Sequence, residues 1–121
     1  MPHPSAPREA PDPGQLLSVI SLPATRTGHV VVEVTGEVDA YTAPLLDVCL
    51  RSHAGRRGVR GVVVDLRGVT FLGAAGVTAL AAAQRRCRML GARLVIRAGG
   101  RSDVRRSLQS AGLAPRSRTS G

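Results

Sequence analysis

The chain has 121 residues, enough for one domain with a modest core and too few for two. It contains one Phe, one Tyr and no Trp, so a core must be built from Val, Leu and Ala. No run of 18 apolar residues occurs, which excludes a membrane-spanning helix, and the N-terminus lacks the basic and apolar blocks of a secretory signal. We therefore expect a cytoplasmic protein.

All 17 basic residues are arginines, and against eight acidic residues they give a net charge of +9. Such a charge attracts nucleic acids, anionic lipids and acidic protein surfaces alike. Specific readers of nucleic acid usually add aromatic platforms on which bases stack, and this composition provides almost none. The composition therefore argues against specific nucleic-acid recognition, and an acidic protein partner or solubility explains the charge equally well.

The first half of the chain predicts a tail, two strands and a helix. Residues 1–14 hold five of the eight prolines and predict a disordered tail. Strands are predicted over residues 16–22 and 29–35, joined at Thr27-Gly28 as a hairpin. A helix follows, with Thr42 as its N-cap, Pro44 in its first turn and Gly55 at its end. His53 continues the apolar stripe of this helix, and we assign it no chemistry.

The centre of the chain predicts a strand joined to a helix by very small residues. An apolar, β-branched run over residues 62–66 ends beside a charge. Residues 77, 80, 83, 87 and 90 then recur at helical spacing, and Gly91 ends the helix. A junction of this kind exposes bare backbone and the positive end of a helix, which suits a phosphate or a protein partner. Residues 73–76, Gly-Ala-Ala-Gly, offer no hydroxyl, amine or carboxylate.

The last part predicts a strand over residues 93–98 and a helix capped by Ser102 or Asp103. Gly112 and Leu113 then predict a Schellman ending in which Leu113 packs back on Leu108. The domain is expected to span residues 15–113, followed by a flexible tail over 114–121. The order of elements predicts an α/β fold with one mixed sheet of four to five strands, an antiparallel hairpin at one edge, and three to four helices packed on it.

Nothing in the sequence indicates catalysis or a bound cofactor. Cys49 and Cys87 fall on the apolar sides of predicted helices without metal-ligand spacing, so we interpret them as small buried hydrophobes. The histidines have no visible partners for acid–base work. Residues 73–76 also lack the lysine and the Ser or Thr of a phosphate-binding P-loop. We expect no enzyme activity, no metal and no cofactor.

Several short motifs, in order and spacing, resemble STAS domains, the domains of bacterial anti-sigma-factor antagonists and of sulfate-transporter tails. The resemblance spans residues 16–113. It implies a STAS-like fold and a partner-switching role: a typical antagonist binds an anti-sigma factor that is itself a GHKL-type serine kinase, and so frees a sigma factor. The motifs are Gly-Glu-Val-Asp at 36–39, Thr-Ala-Pro-Leu at 42–45, residues 64–72, Gly76, and Ala-Gly-Leu at 111–113.

The resemblance fails at the residue that family members phosphorylate. Their usual run is Asp-Ser-Ser-Gly or Asp-Ser-Thr-Gly, and residues 73–76 stand in its place. Ala74 replaces the phosphoacceptor serine and Gly73 replaces the aspartate, so the usual off-switch is missing. The resemblance implies that the partner binds near this junction, where we place seven residues: Asp39, Thr42, Gly73, Ala74, Ala75, Gly76 and Thr78.

Other roles stay open for four residues near the junction. Asp39 either faces the partner or caps the first helix. Asp65, at the predicted strand end, either marks a site or stabilises the loop. Thr70 and Thr78 either substitute as phosphoacceptors or are an ordinary junction residue and an ordinary first-turn residue.

The biological role also has alternatives. An antagonist without the off-switch is controlled by synthesis, by abundance or by a competing homologue. A divergent domain is instead kept for scaffold contacts or for a homodimer. The remaining alternatives are a STAS component of a transport or stressosome-like complex, and a basic protein associated with nucleic acid.

Overall fold

The computed structural model describes residues 11–22 and 26–115. Four strands alternate with three longer helices in the predicted order, preceded by one short helical turn. Residues 1–10 and 116–121 of the predicted tails lie outside the described residues, and Pro13 and Gly14 belong to the short turn. The elements are α1 (Pro13–Leu16), β1 (Leu17–Leu22), β2 (His29–Val38), α2 (Ala43–His53), β3 (Gly61–Leu72), α3 (Ala74–Met89), β4 (Arg93–Arg97) and α4 (Ser102–Ser110).

The four strands form one mixed sheet in the order β1-β2-β3-β4. β1 is antiparallel to β2, whereas β2, β3 and β4 are parallel, which confirms the predicted α/β fold. Residues that pair across strands share a face. The paired row Val32, Val64 and Ile96 is buried in the same core as Leu46 of α2 and Leu80 of α3.

The opposite face of the sheet carries half-exposed and charged residues. Its rows pair Val63 of β3 with neighbours on β2 and β4, and Glu33 with Asp65 and then Arg97. Asp65 is nevertheless buried, because it pairs with Arg67 two residues further along β3. The sheet therefore has one apolar face and one mostly polar face.

β2 and β3 are longer than predicted. The sequence ended them at residues 35 and 66, but they pair through Val38 and Leu72. β3 advances three residues between Asp65 and Gly68 while β2 advances two, and a second shift follows at Gly36. An extra residue reverses which side chains face the core, so the alternation seen in the sequence stops before the strand does.

Helix ends follow the predicted glycines, and α2 starts after Thr42 as predicted, whereas the start of α4 differs. Gly55, Gly91 and Gly112 each follow a helix with positive φ. At Gly112 the amide of the next residue, Leu113, donates to the Leu108 carbonyl at 2.8 Å, which confirms the Schellman ending. The N-cap position of α4 is Arg101 rather than Ser102 or Asp103.

Candidate functional site

Two strand ends and two helix starts meet at one end of the sheet. Val38 and Leu72 pair as the last residues of β2 and β3, and the Gly73 amide donates to the Val38 carbonyl at 2.8 Å. This bond places the start of α3 beside the loop that leads from β2 into α2. We call the solvent-facing residues there the junction surface: Asp39, Ala40, Gly73, Ala74, Ala75 and Thr78.

A groove of about 370 Å³ runs from the junction surface between α2 and α3. Most of its lining is alanine, including Ala40 on the loop and Ala75 and Ala79 on α3. The ion pair between Asp47 and Arg51, at 2.8 Å, lines it on α2. Because these side chains are small, another molecule can approach the backbone of both helices closely.

Ala74 is exposed at the first position of α3, as the sequence predicted for the residue at the phosphoacceptor position. Within the part of the chain that the structure describes, no side chain caps this helix, and its first amides have no acceptor within the helix. Gly73, the N-cap residue, is half-buried with φ −92, a conformation open to any residue. The junction surface therefore presents an uncapped, positive helix end with a methyl group at its front.

Gly76 is buried, so it does not contact a partner directly. A Cβ atom on it would lie 2.5 Å from Cγ1 of Val38 and 2.7 Å from Cδ1 of Leu72. Such distances are far below ordinary contact, so a glycine is needed for α3 to lie this close to the strand ends. Its inclusion among the partner-contacting residues is corrected: Gly76 supports the junction surface from beneath.

Thr42 is also corrected, because its exposed fraction is 0%. The sequence made it the N-cap of α2 and a partner contact, but its hydroxyl makes no cap bond to that helix. Oγ1 donates to the Glu37 carbonyl at 2.7 Å and accepts from the Asp39 amide at 3.0 Å. Thr42 thus ties the end of β2 to the start of α2 inside the protein.

The Asp39 side chain orders the loop before α2 rather than capping the helix, because the two amides that it accepts precede Ala43, the first residue of α2. Its Oδ1 accepts the amides of Tyr41 and Thr42, each at 3.0 Å, and its carbonyl accepts the amide of Ala43. These bonds, that of Thr42 first, hold the pKa of the Asp39 carboxyl below its usual range. The carboxylate therefore stays ionised beside the junction surface while one oxygen holds the loop.

Asp65 lies away from the junction surface, seven residues before the end of β3. Arg67 donates to both of its carboxylate oxygens, with Nη2 at 2.7 Å from Oδ2, and the Arg67 amide also donates at 3.0 Å. The Arg67 side chain is the main reason that the pKa of Asp65 is lowered. The expectation of a strand-end carboxylate was wrong, because β3 continues past Asp65 through a bulge.

The two threonines differ in position. Thr70 lies within β3, where its hydroxyl donates to the Gly36 carbonyl at 3.3 Å. Thr78 is exposed on the first turns of α3 and lines the groove. Of the two, only Thr78 belongs to the junction surface.

Two half-exposed aromatic side chains that the sequence did not predict lie at this end of the sheet: Phe71 lies against Gly73, and the Tyr41 hydroxyl donates to the Pro11 carbonyl at 2.7 Å. Tyr41 and Phe71 are the only aromatic residues of the chain, and their exposed fractions are 46% and 49%. Leu45 and Val48 on α2 are exposed as well. The sequence did contain a signal, because both aromatic residues are next to the motif residues at the strand ends. Half-exposed aromatic side chains are typical of interfaces.

The described residues hold no other chemistry at this end. Cys87 is buried and Cys49 half-buried, and both are free thiols. Within residues 11–22 and 26–115, no three His, Cys, Asp or Glu side chains are grouped to hold a metal ion. In the same ranges, no helix has the length and apolar character needed to cross a membrane.

Comparison with known proteins assigns the family. The model of the STAS domain matches residues 22–120. An anti-sigma factor antagonist from Mycobacterium paratuberculosis is 30% identical with a TM-score of 0.70, over 86% of this chain and 82% of that one.

Two more distant structures share the fold. The unphosphorylated form of SpoIIAA, an anti-sigma factor antagonist of Bacillus, is 18% identical with a TM-score of 0.68, over 79% and 82% of the two chains. The murine anion transporter Slc26a9 is 11% identical with a TM-score of 0.57, over 78% of this chain and 18% of the transporter. With the family model matching most of its length, the chain belongs to the STAS domain family.

Proposed function

We propose that the protein is an anti-sigma factor antagonist that acts by binding. Its partner is an anti-sigma factor of the GHKL serine-kinase type, and formation of the complex releases a sigma factor. The observation that carries the proposal is the exposed Ala74 at the start of α3, with small residues around it and the half-exposed Phe71 against Gly73. The 30% identical antagonist supports the same role.

The junction surface suits a protein partner for a physical reason. Alanine and glycine side chains let another backbone approach closely, and the unpaired first amides of α3 are donors that a partner's carboxylate or carbonyl can satisfy. The half-exposed aromatics supply apolar area at the rim. Asp39 keeps the loop in place and adds one negative charge.

Because position 74 is an alanine, phosphorylation at the family's usual position does not end the binding. A phosphate at this position would add about −1.5 to −2 charges to a neutral contact, which a closely packed interface must desolvate or open. Ala74 has no hydroxyl to carry that phosphate. The antagonist is therefore controlled by its amount, or by competition with a homologue, rather than by modification at this residue.

The test is a pull-down of candidate GHKL-type anti-sigma factors with the Ala74→Glu variant. An imposed carboxylate at the exposed helix start should abolish binding while the circular dichroism spectrum is unchanged. The matched control is Gln109→Glu, which adds the same charge at an exposed position of α4. Binding retained by Ala74→Glu, or lost equally in the control, would reject this interface.

A second test addresses the missing switch. Wild-type protein incubated with the captured kinase and ATP should gain no phosphate, as measured by intact mass. Phosphate on Thr78, the exposed hydroxyl of the junction surface, would show that an alternative acceptor has replaced Ala74 and would contradict control by amount.

A further inference from the structure

A second cavity, of about 560 Å³, lies at the opposite end of the sheet from the junction surface. It opens where β2 and β3 begin, at the paired residues His29 and Gly61, and where α2 ends at His53. The strands run parallel for about ten residues at about 3.3 Å each, which separates the two regions by about 30 Å.

Four of the residues that line the cavity are arginines, and none is acidic. Arg26 precedes β2, and Arg56, Arg57 and Arg60 come from the loop between α2 and β3. Among the described residues, the ion pairs involve other arginines, so no carboxylate neutralises these four. Four like charges around one cavity repel each other, and an anion bound between them relieves that repulsion.

The backbone holds the two arginine-bearing segments together. The Arg60 amide donates to the Gly28 carbonyl at 2.8 Å, which joins the turn before β2 to the loop before β3. A Cβ atom on Gly28, whose φ is +82, would lie 2.6 Å from the Gly58 carbonyl oxygen, so the contact requires glycine there. The arginine Cα positions are thus set before any ligand binds, which lowers the ordering cost of binding.

His53 adds a buried polar group to the wall of the cavity. Its exposed fraction is 7%, and its Nε2 lies 2.8 Å from Oγ of Ser21. Nδ1 has no hydrogen-bond partner among the described residues. Burial and then the charge of Arg56 lower the pKa of His53, so the ring is neutral at pH 7. A buried ring nitrogen without a partner is a feature that a ligand or water usually satisfies.

We propose that this cavity binds a small soluble anion with two or more phosphate groups, held by the guanidinium groups of Arg26, Arg56, Arg57 and Arg60. The planar guanidinium donates paired N–H groups to two phosphate oxygens at once. Four guanidinium groups are more than a single phosphate group needs for its hydrogen bonds. The volume lies in the range of small-molecule sites. No Phe, Tyr or Trp among the described residues lines the cavity, so we expect the phosphates to be recognised rather than a stacked base.

Isothermal titration with sodium tripolyphosphate at physiological salt tests the proposal. We expect saturable binding at one site per chain, and at least a tenfold weaker affinity in the Arg56→Ala/Arg57→Ala variant. The matched control is Arg85→Ala/Arg88→Ala, which removes the same charge from exposed positions of α3 and should bind within twofold of the wild type. Absence of binding in the wild type, or equal weakening in both variants, would overturn the site.

A local measurement distinguishes a bound ligand from a general charge effect. In NMR titrations, tripolyphosphate should shift the amides of Gly28 and Gly58 and raise the pKa of the His53 ring, because a bound anion favours the charged imidazole. Amide chemical-shift changes that are spread over all surfaces with arginines would overturn the proposal. So would binding to vesicles with bisphosphorylated inositol headgroups but not to free tripolyphosphate.

Discussion

At the scale of single residues, the regulation that we propose for this STAS domain depends on one methyl group. Ala74 occupies an exposed, uncapped helix start at the position where the family carries a phosphorylated serine. The backbone at Ala74 and Gly73 needs neither residue for conformational reasons, since neither has positive φ. A serine therefore fits position 74 without a change of the local fold.

Restoring the hydroxyl should restore the switch. We expect Ala74→Ser to bind the partner as the wild type does, and to gain one phosphate from the partner kinase and ATP, after which the complex dissociates because the phosphate charge must be desolvated. Intact mass and a pull-down before and after ATP measure this. Ser107, already present on α4, reports nonspecific phosphorylation; a variant that takes up phosphate but stays bound would place the interface elsewhere.

At the scale of elements, the strand ends and helix starts position the junction surface. α3 packs so closely on Val38 and Leu72 that Gly76 is required, and Asp39 and Thr42 lock the β2–α2 loop. The sequence predicted which helices and strands exist, because periodicity reports which face of each is buried. It did not predict that Thr42 and Gly76 are buried, because that depends on contacts between distant segments.

Substitution at Gly76 should measure this packing. Gly76→Ala is expected to destabilise the fold by about 1–3 kcal/mol, because the clash with Val38 and Leu72 outweighs the helix propensity gained by alanine, about 1 kcal/mol. Urea unfolding gives the free energy. Val38→Ala removes one clashing atom, so the effects of the two substitutions on the free energy of unfolding should be non-additive. Strictly additive effects would mean that α3 does not lie this close to the strand ends in solution.

The Asp65–Arg67 pair should give a defined pH dependence. Arg67 lowers the pKa of Asp65 in the folded protein, so the pair stabilises above the unfolded pKa of about 3.9 and this stability is lost as pH falls through the folded value. Asp65→Asn should lower the free energy of unfolding at pH 7 and flatten its decline below about pH 4. Urea unfolding across this range measures both effects.

Arg67→Gln should flatten the same decline, because it breaks the same pair from the other side. A steep decline retained in Arg67→Gln would show that Asp65 is stabilised by Arg97, its neighbour on β4, rather than by Arg67.

At the scale of the whole molecule, the two ends of the sheet differ in charge. The carboxyl end carries small residues and half-exposed aromatic residues. The amino end carries four arginines around a cavity, and they form no ion pair with another described residue. The residues that give the net charge of +9 are thus distributed unevenly between the two ends of the sheet. Part of this charge is gathered around the cavity that we propose as an anion site, which a residue count does not reveal.

The same distribution argues against general binding of DNA. Although the charge attracts polyanions at low salt, the described residues offer no aromatic platform next to the arginine cavity. We expect filter binding of duplex DNA to be weak at low salt and absent at physiological salt. Binding at physiological salt that falls steeply as salt is raised further would instead favour a nucleic-acid-associated protein.

The sequence by itself determined the element order, the mixed sheet with its antiparallel edge, and the absence of a hydroxyl at Ala74, because these depend on residues close together in the chain. Only the tertiary structure decided that Thr42 and Gly76 lie inside, that Asp65 lies mid-strand, and that Tyr41 and Phe71 are half-exposed. Strand pairing and helix packing join residues that are far apart in sequence, and the bulges of β3 shift which of its side chains face the core. Periodicity along one segment contains neither kind of information.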